Sequence, residues 1–93
     1  MLRQKKLNDV YIEKKLRTFI VNKFLLGNKS NTLGADDSFL EKGIIDSTGV
    51  LELVSFIEET FNINVEDEEL IPDNLDSLRK LTSYIKRKTW YVS

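Results

Sequence analysis

The fold of this 93-residue chain is decided by the stretch Gly43-Ile44-Ile45-Asp46-Ser47-Thr48-Gly49-Val50-Leu51-Glu52-Leu53-Val54. Apolar residues recur at helical spacing directly after Asp46 and Ser47, namely Val50, Leu53, Val54, Ile57 and Phe61. The pattern predicts a helix from Ser47 to Phe61. The first N–H groups of a helix have no internal partner and lie at the positive end of its dipole, so a phosphodiester on the Ser47 hydroxyl would be stabilised there. Capping alone is the simpler interpretation, because Asp and Ser are both common N-cap residues.

A second amphipathic helix precedes this stretch. It is predicted to begin near Asn8 or Asp9, either of which can cap it. It ends around Leu26-Gly27-Asn28, since Gly and Asn suit a left-handed C-terminal cap. The inward face of this helix consists of Ile12, Leu16, Phe19 and Ile20. Residues 1–7 are predicted to be a loose basic arm.

Two connections flank the central helix. Residues 28–46 are polar and irregular, which predicts a long first loop, and a loop of this length in a small domain usually has a function. The residues expected to anchor this loop to the core are Phe39, Leu40, Ile44 and Ile45. Residues 62–65 alternate like a short extended piece. Residues 66–71 favour one or two helical turns, which Pro72 is expected to end.

The last helix is predicted to be capped by Ser77, or by Asp73 or Asn74 if it begins earlier. Its inward face consists of Leu78, Leu81, Thr82 and Ile85. Residues 89–93 form an aromatic tail. Trp90 in this tail is expected to pack back onto the first helix, because large aromatic side chains gain much from burial.

Composition indicates one domain and excludes several kinds of chemistry. The length fits a single domain over residues 1–93, with an all-α fold: a small four-helix bundle of three longer helices and one short helix. Histidine and cysteine are absent, which removes the usual general base, thiolate nucleophile, zinc ligands and disulfides. We therefore expect no enzyme activity and no metal site. The chain also lacks an apolar run typical of a secretory signal or membrane span, and we expect a cytoplasmic monomer.

Charge is distributed unevenly along the chain. The net charge is +6 over residues 1–29, −12 over residues 30–76 and +5 over residues 77–93. A nucleic-acid-binding protein would gather its basic residues on one surface and keep acidic residues away from it. Here the acidic residues surround Ser47. The charge pattern therefore argues against a nucleic-acid partner and favours partner proteins with basic patches.

Around Ser47 the chain reads Asp37-Ser38-Phe39-Leu40-Glu41-Lys42-Gly43-Ile44-Ile45-Asp46-Ser47, followed by Val50-Leu51-Glu52-Leu53-Val54 and Ile57-Glu58-Glu59-Thr60-Phe61-Asn62-Ile63. This region resembles the signature of acyl and peptidyl carrier proteins, and the likeness extends over residues 12–88. In that family the serine of the Asp-Ser pair is esterified with 4′-phosphopantetheine, and the resemblance assigns that role to Ser47, with Asp46 beside it. Most members carry Leu or Met directly after the serine, where this chain has Thr48-Gly49. Since Gly costs about 1 kcal/mol relative to Ala in a helix, Gly49 predicts a loose first turn.

The resemblance implies a discrete carrier that holds an acyl or aminoacyl group as a thioester on the phosphopantetheine arm. A phosphopantetheinyl transferase would attach the arm from coenzyme A, and acyl- or aminoacyl-loading ligases and downstream synthase enzymes with basic patches would be its other partners. Fatty acyl, hydroxyacyl and aminoacyl cargoes all stay open. The partner face is expected opposite the buried stripe of the central helix, at Thr48, Leu51, Glu52, Ser55, Glu58 and Glu59. The alternative is an unmodified helical interaction module with an acidic docking face.

Overall fold

The computed structural model describes residues 8–25 and 33–90, and of Trp90 the backbone alone. These residues form no strand, and their helices are α1 (Asp9–Phe24), α2 (Ser47–Phe61), α3 (Pro72–Leu75) and α4 (Leu78–Trp90), with a 3₁₀ turn at Asp67–Glu69. The predicted all-α bundle of three longer helices and one short helix is confirmed.

The buried core draws on every helix and on the first loop. It consists of Ile12, Leu16 and Ile20 of α1; Leu53, Ile57 and Phe61 of α2; Leu75 of α3; Leu78, Leu81, Tyr84 and Ile85 of α4; and Leu33, Phe39 and Ile45 of the loop. Phe19, Val50 and Val54, which were expected to be buried, are half-buried and pack against the edge of this core. They lie at the margins of their helical stripes, where a small bundle leaves its helices partly uncovered.

Local capping defines the start of α1. The Asn8 side chain accepts a hydrogen bond from the Tyr11 N–H at 2.9 Å, so Asn8 is the N-cap. The helix ends at Phe24, with Leu25 as its C-cap, and therefore stops before the Leu26-Gly27-Asn28 end that the sequence predicts. Residues 26–32 lie outside the described part of the chain, as does the basic arm of residues 1–7.

Helices α1 and α2 run antiparallel with a clear register. Phe24 at the end of α1 lies against Gly49 near the start of α2. One turn further into α2, Lys23 forms an ion pair with Glu52 at 3.5 Å. Further along, the rings of Phe19 and Phe56 stack with centroids 4.1 Å apart. Residues nearer the beginning of α1 thus contact residues nearer the end of α2. The end of α1 therefore packs against the beginning of the Ser47 helix.

The first loop is held by defined turns between residues 33 and 46. Phe39 and Ile45 are buried as predicted, and Ile44 is half-buried. Leu40 was predicted to anchor the loop, but 54% of its surface is exposed. Leu40 lies in a turn that is closed by a hydrogen bond from the Gly43 N–H to the Leu40 carbonyl, and Gly43 adopts a φ of +66° in this turn. This turn leaves the Leu40 side chain at the surface, whereas the preceding Phe39 is buried.

Pro72 begins a helix instead of ending one. The expected helical turns over residues 66–71 reduce to the 3₁₀ turn, and Pro72 takes the first position of α3, where its missing N–H costs nothing. Ser77 then caps α4, because its hydroxyl accepts a hydrogen bond from the Lys80 N–H at 3.1 Å. The predicted Ser77 cap is confirmed, and the earlier start at Asp73 or Asn74 belongs to α3.

A charged cluster fastens the 3₁₀ turn to α4. Glu69 Oε1 accepts hydrogen bonds from Lys88 Nζ at 2.8 Å, from the Glu66 N–H at 2.9 Å and from the Tyr84 hydroxyl at 2.8 Å. The Lys88 ammonium, followed by the Glu66 N–H, lowers the pKa of Glu69 to about 2. Burial, followed by the hydrogen bond to Glu69, raises the pKa of Tyr84. This cluster holds the acidic connection close to the bundle.

Helix α4 completes the bundle by packing on α1 and α3. The predicted inward residues Leu78, Leu81, Thr82 and Ile85 are all buried. Lys86 of α4 forms an ion pair with Asp9 of α1 at 2.6 Å. The helix continues through Trp90, so the first two residues of the predicted aromatic tail belong to α4. The Trp90 side chain and residues 91–93 lie outside what the structure describes.

Candidate functional site

Ser47 is the first residue of α2 and is exposed to solvent. The cap of this helix is Asp46, whose Oδ1 accepts the Gly49 N–H at 2.8 Å and whose carbonyl accepts the Val50 N–H at 3.0 Å. The N–H groups of Ser47 and Thr48 come before Gly49 in the chain and, as at any helix start, have no carbonyl partner within the helix. The hydroxyl of Ser47 therefore lies at the positive end of the α2 dipole.

The surroundings of Ser47 fit a phosphodiester. The first turn of α2 contains no acidic residue, and the carboxylate of Asp46 is engaged by the Gly49 N–H. A phosphate attached to the exposed Ser47 hydroxyl would meet the partial positive charge of the helix start without burying or displacing any other group.

Gly49 joins the serine turn to α1. It is buried, and a Cβ built on it would lie 2.8 Å from Phe24 Cε1 and 3.0 Å from Ile45 Cγ2. Such distances are shorter than ordinary carbon contacts, so the two elements approach as closely as a glycine permits. The sequence predicted a loose turn from helix propensity, whereas the structure gives this glycine a packing role.

Four of the predicted partner-face residues line one shallow groove beside the serine turn, with a volume of about 410 Å³. These are Leu51, Glu52, Ser55 and Glu59, and the groove is completed by Phe19, Lys23 and Phe56. Leu51 is 61% exposed and provides an apolar contact surface next to Glu52. Thr48 is also exposed but does not line the groove. The groove combines an apolar floor with acidic residues along α2.

Glu58 does not belong to this surface. Its side chain turns toward the following connection, is half-buried and accepts the Val65 N–H at 2.9 Å. The helical pattern places residue 58 on the outer face, but the chain after Asn62 folds back over it. Asn62 makes this reversal at the end of α2, where it has a left-handed φ of +58°.

An apolar cavity of about 130 Å³ opens on the other side of α2. It lies between α2, the first loop and α3, and is lined by Phe39, Leu40, Ile45, Val50, Leu53, Leu70, Ile71, Pro72, Leu75 and Asp76. A dry cavity of about 150 Å³ holds a benzene molecule. The cavity is therefore the size of a short hydrocarbon segment, and its lining contains a single carboxylate, at Asp76.

Comparison with known proteins places the chain in a family. The family model described as "Phosphopantetheine attachment site" matches residues 25–85, which include Ser47 and most of the described bundle. The chain belongs to the acyl carrier protein family. Members of this family are carriers, not enzymes, and they bear a covalently attached 4′-phosphopantetheine that a phosphopantetheinyl transferase supplies.

Individual acyl carrier proteins are similar over most of their length. An acyl carrier protein of Akkermansia muciniphila is 38% identical over 81 residues, which cover 87% of this chain and 96% of the relative. An acyl carrier protein of Buchnera aphidicola is 34% identical, covering 83% and 92%. The probable acyl carrier protein PigG of a Serratia species is 26% identical, covering 82% and 86%. The likeness therefore extends over almost the whole carrier domain.

Three residues of the groove were missed at the sequence level. Phe19 was assigned to the core, and neither Lys23 nor Phe56 was assigned to any surface. The sequence feature that could have identified Phe56 is its position beside Ser55, outside the buried stripe, where a large aromatic residue is expected to lie near an edge.

Among the described residues of this carrier protein, none of the helices is long and apolar enough to cross a membrane, and no side-chain cluster suits a metal ion.

Proposed function

We propose that Ser47 is the phosphopantetheine attachment residue and that this protein carries an acyl or aminoacyl group as a thioester. The observation that carries the proposal is the exposed hydroxyl at the first position of α2, between the cap Asp46 and the tightly packed Gly49. When attached, the arm supplies the terminal thiol that holds the cargo. Because the chain contains no cysteine, no thiol of the protein competes for that cargo.

The attachment step uses only the hydroxyl of Ser47 from this chain. Ser47 Oγ forms a bond to the phosphorus of the phosphopantetheine portion of coenzyme A, while the bond from that phosphorus to the departing nucleotide phosphate breaks. Adenosine 3′,5′-bisphosphate leaves, and the serine proton passes to a base of the transferase. The role of the carrier in this step is to hold Ser47 exposed on a rigid helix, with Asp46 fixing the helix start.

The groove of Leu51, Glu52, Ser55 and Glu59 is proposed to be where partner enzymes dock. Thr48 is exposed beside Ser47 and is included in this face, whereas Glu58 is excluded by its bond to the Val65 N–H. Basic residues of a transferase or of a loading or synthase enzyme would complement Glu52 and Glu59, while an apolar side chain would contact Leu51. We place this carrier in the cytoplasm and expect it to act as a monomer.

The direct test is the intact mass of the apo-protein after incubation with coenzyme A and a promiscuous phosphopantetheinyl transferase. The wild-type chain should gain one phosphopantetheine group. The Ser47→Ala variant should gain none, while Ser83→Ala, which removes an exposed hydroxyl of α4 outside the groove, should be modified like wild type.

The fold of Ser47→Ala should be nearly unchanged, because Asp46 and not Ser47 supplies the cap, so the loss is well below the ~1 kcal/mol of a capping side chain. An unchanged mass of the wild-type protein under conditions that modify another carrier would overturn the proposal. It would then favour an unmodified interaction module.

A further inference from the structure

We propose that Asp76 is a positioning residue that holds the first loop so that Ser47 is presented to the transferase. This inference rests on Ser47 being the attachment residue. Asp76 is half-buried at the corner between α3 and α4, far in sequence from the loop. Its hydrogen bonds to the loop therefore join parts of the chain that are distant in sequence, and they act together with the bond from the Arg79 N–H to the Ala35 carbonyl and with the burial of Phe39 and Ile45.

Asp76 accepts hydrogen bonds from the loop with both its carboxylate and its backbone carbonyl. Oδ1 accepts the Leu40 N–H at 3.0 Å, and Oδ2 accepts the Ser38 hydroxyl. The Asp76 carbonyl accepts the Phe39 N–H at 3.0 Å. Three successive loop residues are thus bound to one residue, and two of the three bonds go to a charged oxygen, which makes them stronger than neutral bonds.

The loop residues bound to Asp76 in turn define the path to the serine helix. The Ser38 hydroxyl that donates to Asp76 also accepts the Glu41 N–H at 3.1 Å. The Phe39 carbonyl accepts the Ile44 N–H at 2.9 Å, which closes the turn. Buried Ile45 follows immediately, and the Asp46 cap and Ser47 come next. The bonds therefore form a continuous sequence from Asp76 to Ile44, two residues before the α2 cap.

Loss of the Asp76 carboxylate should leave the bundle folded but allow several loop conformations. Only the fraction of molecules with the native turn would present Ser47 correctly, and the apparent affinity for a partner falls in proportion to that fraction. The expected signature is a higher KM for the carrier in the transferase reaction, at unchanged kcat, since the chemistry occurs in the same complex once it forms.

The experiment compares transferase kinetics of the full chain and its variants, with coenzyme A saturating and the variants shown to be folded. Asp76→Ala should raise the KM about tenfold, and Asp76→Asn, which keeps one amide oxygen for the Leu40 N–H, should restore most of the loss. Ser38→Ala removes one of the two carboxylate bonds and should raise the KM by a smaller factor. Amide hydrogen exchange of the apo-protein should show lost protection at Leu40 and Ile44 in Asp76→Ala.

Two controls separate positioning from general loss of stability. Thr82→Ala removes a buried hydroxyl that donates to the Leu78 carbonyl in α4, so it lowers stability without touching the loop. Arg79→Ala breaks an exposed ion pair to Asp36 at the start of the same loop. Both should keep the wild-type KM.

Several outcomes would overturn the inference. These are a KM of Asp76→Ala within twofold of wild type, a KM of Thr82→Ala raised as much at equal free energy of unfolding, or unchanged exchange at Leu40 and Ile44. If Asp76→Ala does not fold, Ser38→Ala is the test, and a KM no higher than that of Thr82→Ala at equal free energy of unfolding overturns the inference. A wild-type protein that is not modified at all would instead overturn the assignment of Ser47 itself.

Discussion

Phe24, the last residue of α1, lies so close to Gly49 in the first turn of α2 that a Cβ at position 49 would be 2.8 Å from the Phe24 ring. The contact joins the end of one helix to the turn that carries the candidate attachment serine. It also explains why a residue with poor helix propensity occupies this turn, because any larger side chain would push the Phe24 ring or Ile45 aside.

Gly49→Ala should destabilise the protein despite the better helix propensity of alanine. Overpacking costs about 1–3 kcal/mol and the propensity gain is about 1 kcal/mol, so we expect a net loss of about 1 kcal/mol in the free energy of unfolding. Urea denaturation of Gly49→Ala, Phe24→Ala and the double variant measures the coupling. The cost of Gly49→Ala should shrink or change sign in the Phe24→Ala background. Equal costs in both backgrounds would show that the contact with Phe24 is not the cause.

The same contact predicts the dynamics of the serine turn. Helix propensity alone predicts faster amide exchange at residues 50–52 than at residues 54–57, whereas the packing of Phe24 and the Asp46 cap should protect both segments similarly. Hydrogen exchange measured on wild type and on Phe24→Ala distinguishes the two. Exchange at residues 50–52 should accelerate in Phe24→Ala, and a wild-type turn that already exchanges fast would contradict the packing role.

Glu69 makes stability depend on pH in the acid range. Its pKa falls from 4.5 in the unfolded chain to about 2 in the folded protein, chiefly through the hydrogen bond from Lys88. A carboxyl whose pKa is lower in the folded state adds to the free energy of unfolding. The contribution of Glu69 is fully present above pH 4.5 and is lost as the pH falls from 4.5 toward 2. Urea unfolding across that window should show a weaker pH dependence for Glu69→Gln than for wild type. The exposed neighbour Glu68, changed to Gln, is the control and should keep the wild-type slope.

Features set by local sequence were predictable. Asn8 was one of two expected caps of α1, and Ser77 one of three expected caps of α4, because a cap involves residues three positions away. The structure contains the cap bonds of Asn8 and Ser77. Ser47 at the start of α2 follows from the apolar spacing in the same way. The prediction that Pro72 ends a helix was wrong. Proline can end a helix or occupy its first position, and the neighbouring residues do not indicate which of these two positions Pro72 takes.

Features set by distant contacts were not predictable from the pattern. Glu58 lies on the outer face of a helical projection, but Val65 folds back to bind it. The bond between Ser38 and Asp76 joins residues 38 positions apart, and nothing in either local sequence indicates the partner. A helical period reports which side of one element is apolar, whereas such contacts depend on where the other elements lie.

The acidic groove makes the most direct prediction about partners. Reversing Glu52 and Glu59 to Lys should slow modification of Ser47 by a transferase with a basic docking surface, mainly through slower association. Each exposed charge pair contributes only about 0.2–1 kcal/mol, but several together steer the encounter. The measurement is the modification rate at low carrier concentration over a range of salt. The wild-type rate should fall as salt rises, because exposed charges more than about 10 Å apart are largely screened at 0.1 M salt, while the rate of the double variant should fall less.

A control with the same change in net charge shows whether position matters. Asp67→Lys together with Glu68→Lys reverses two exposed acidic residues of the 3₁₀ turn, outside the groove. If the groove is the docking site, this control should be modified nearly as fast as wild type, and Leu51→Ala should slow modification without altering its salt dependence. Because Glu52 also pairs with Lys23 in the same chain, unchanged helix content by circular dichroism is required of the groove variant. Equal slowing of the groove and control variants would mean that the transferase senses only total charge, and equal rates of groove variant and wild type at low salt would move the docking surface elsewhere.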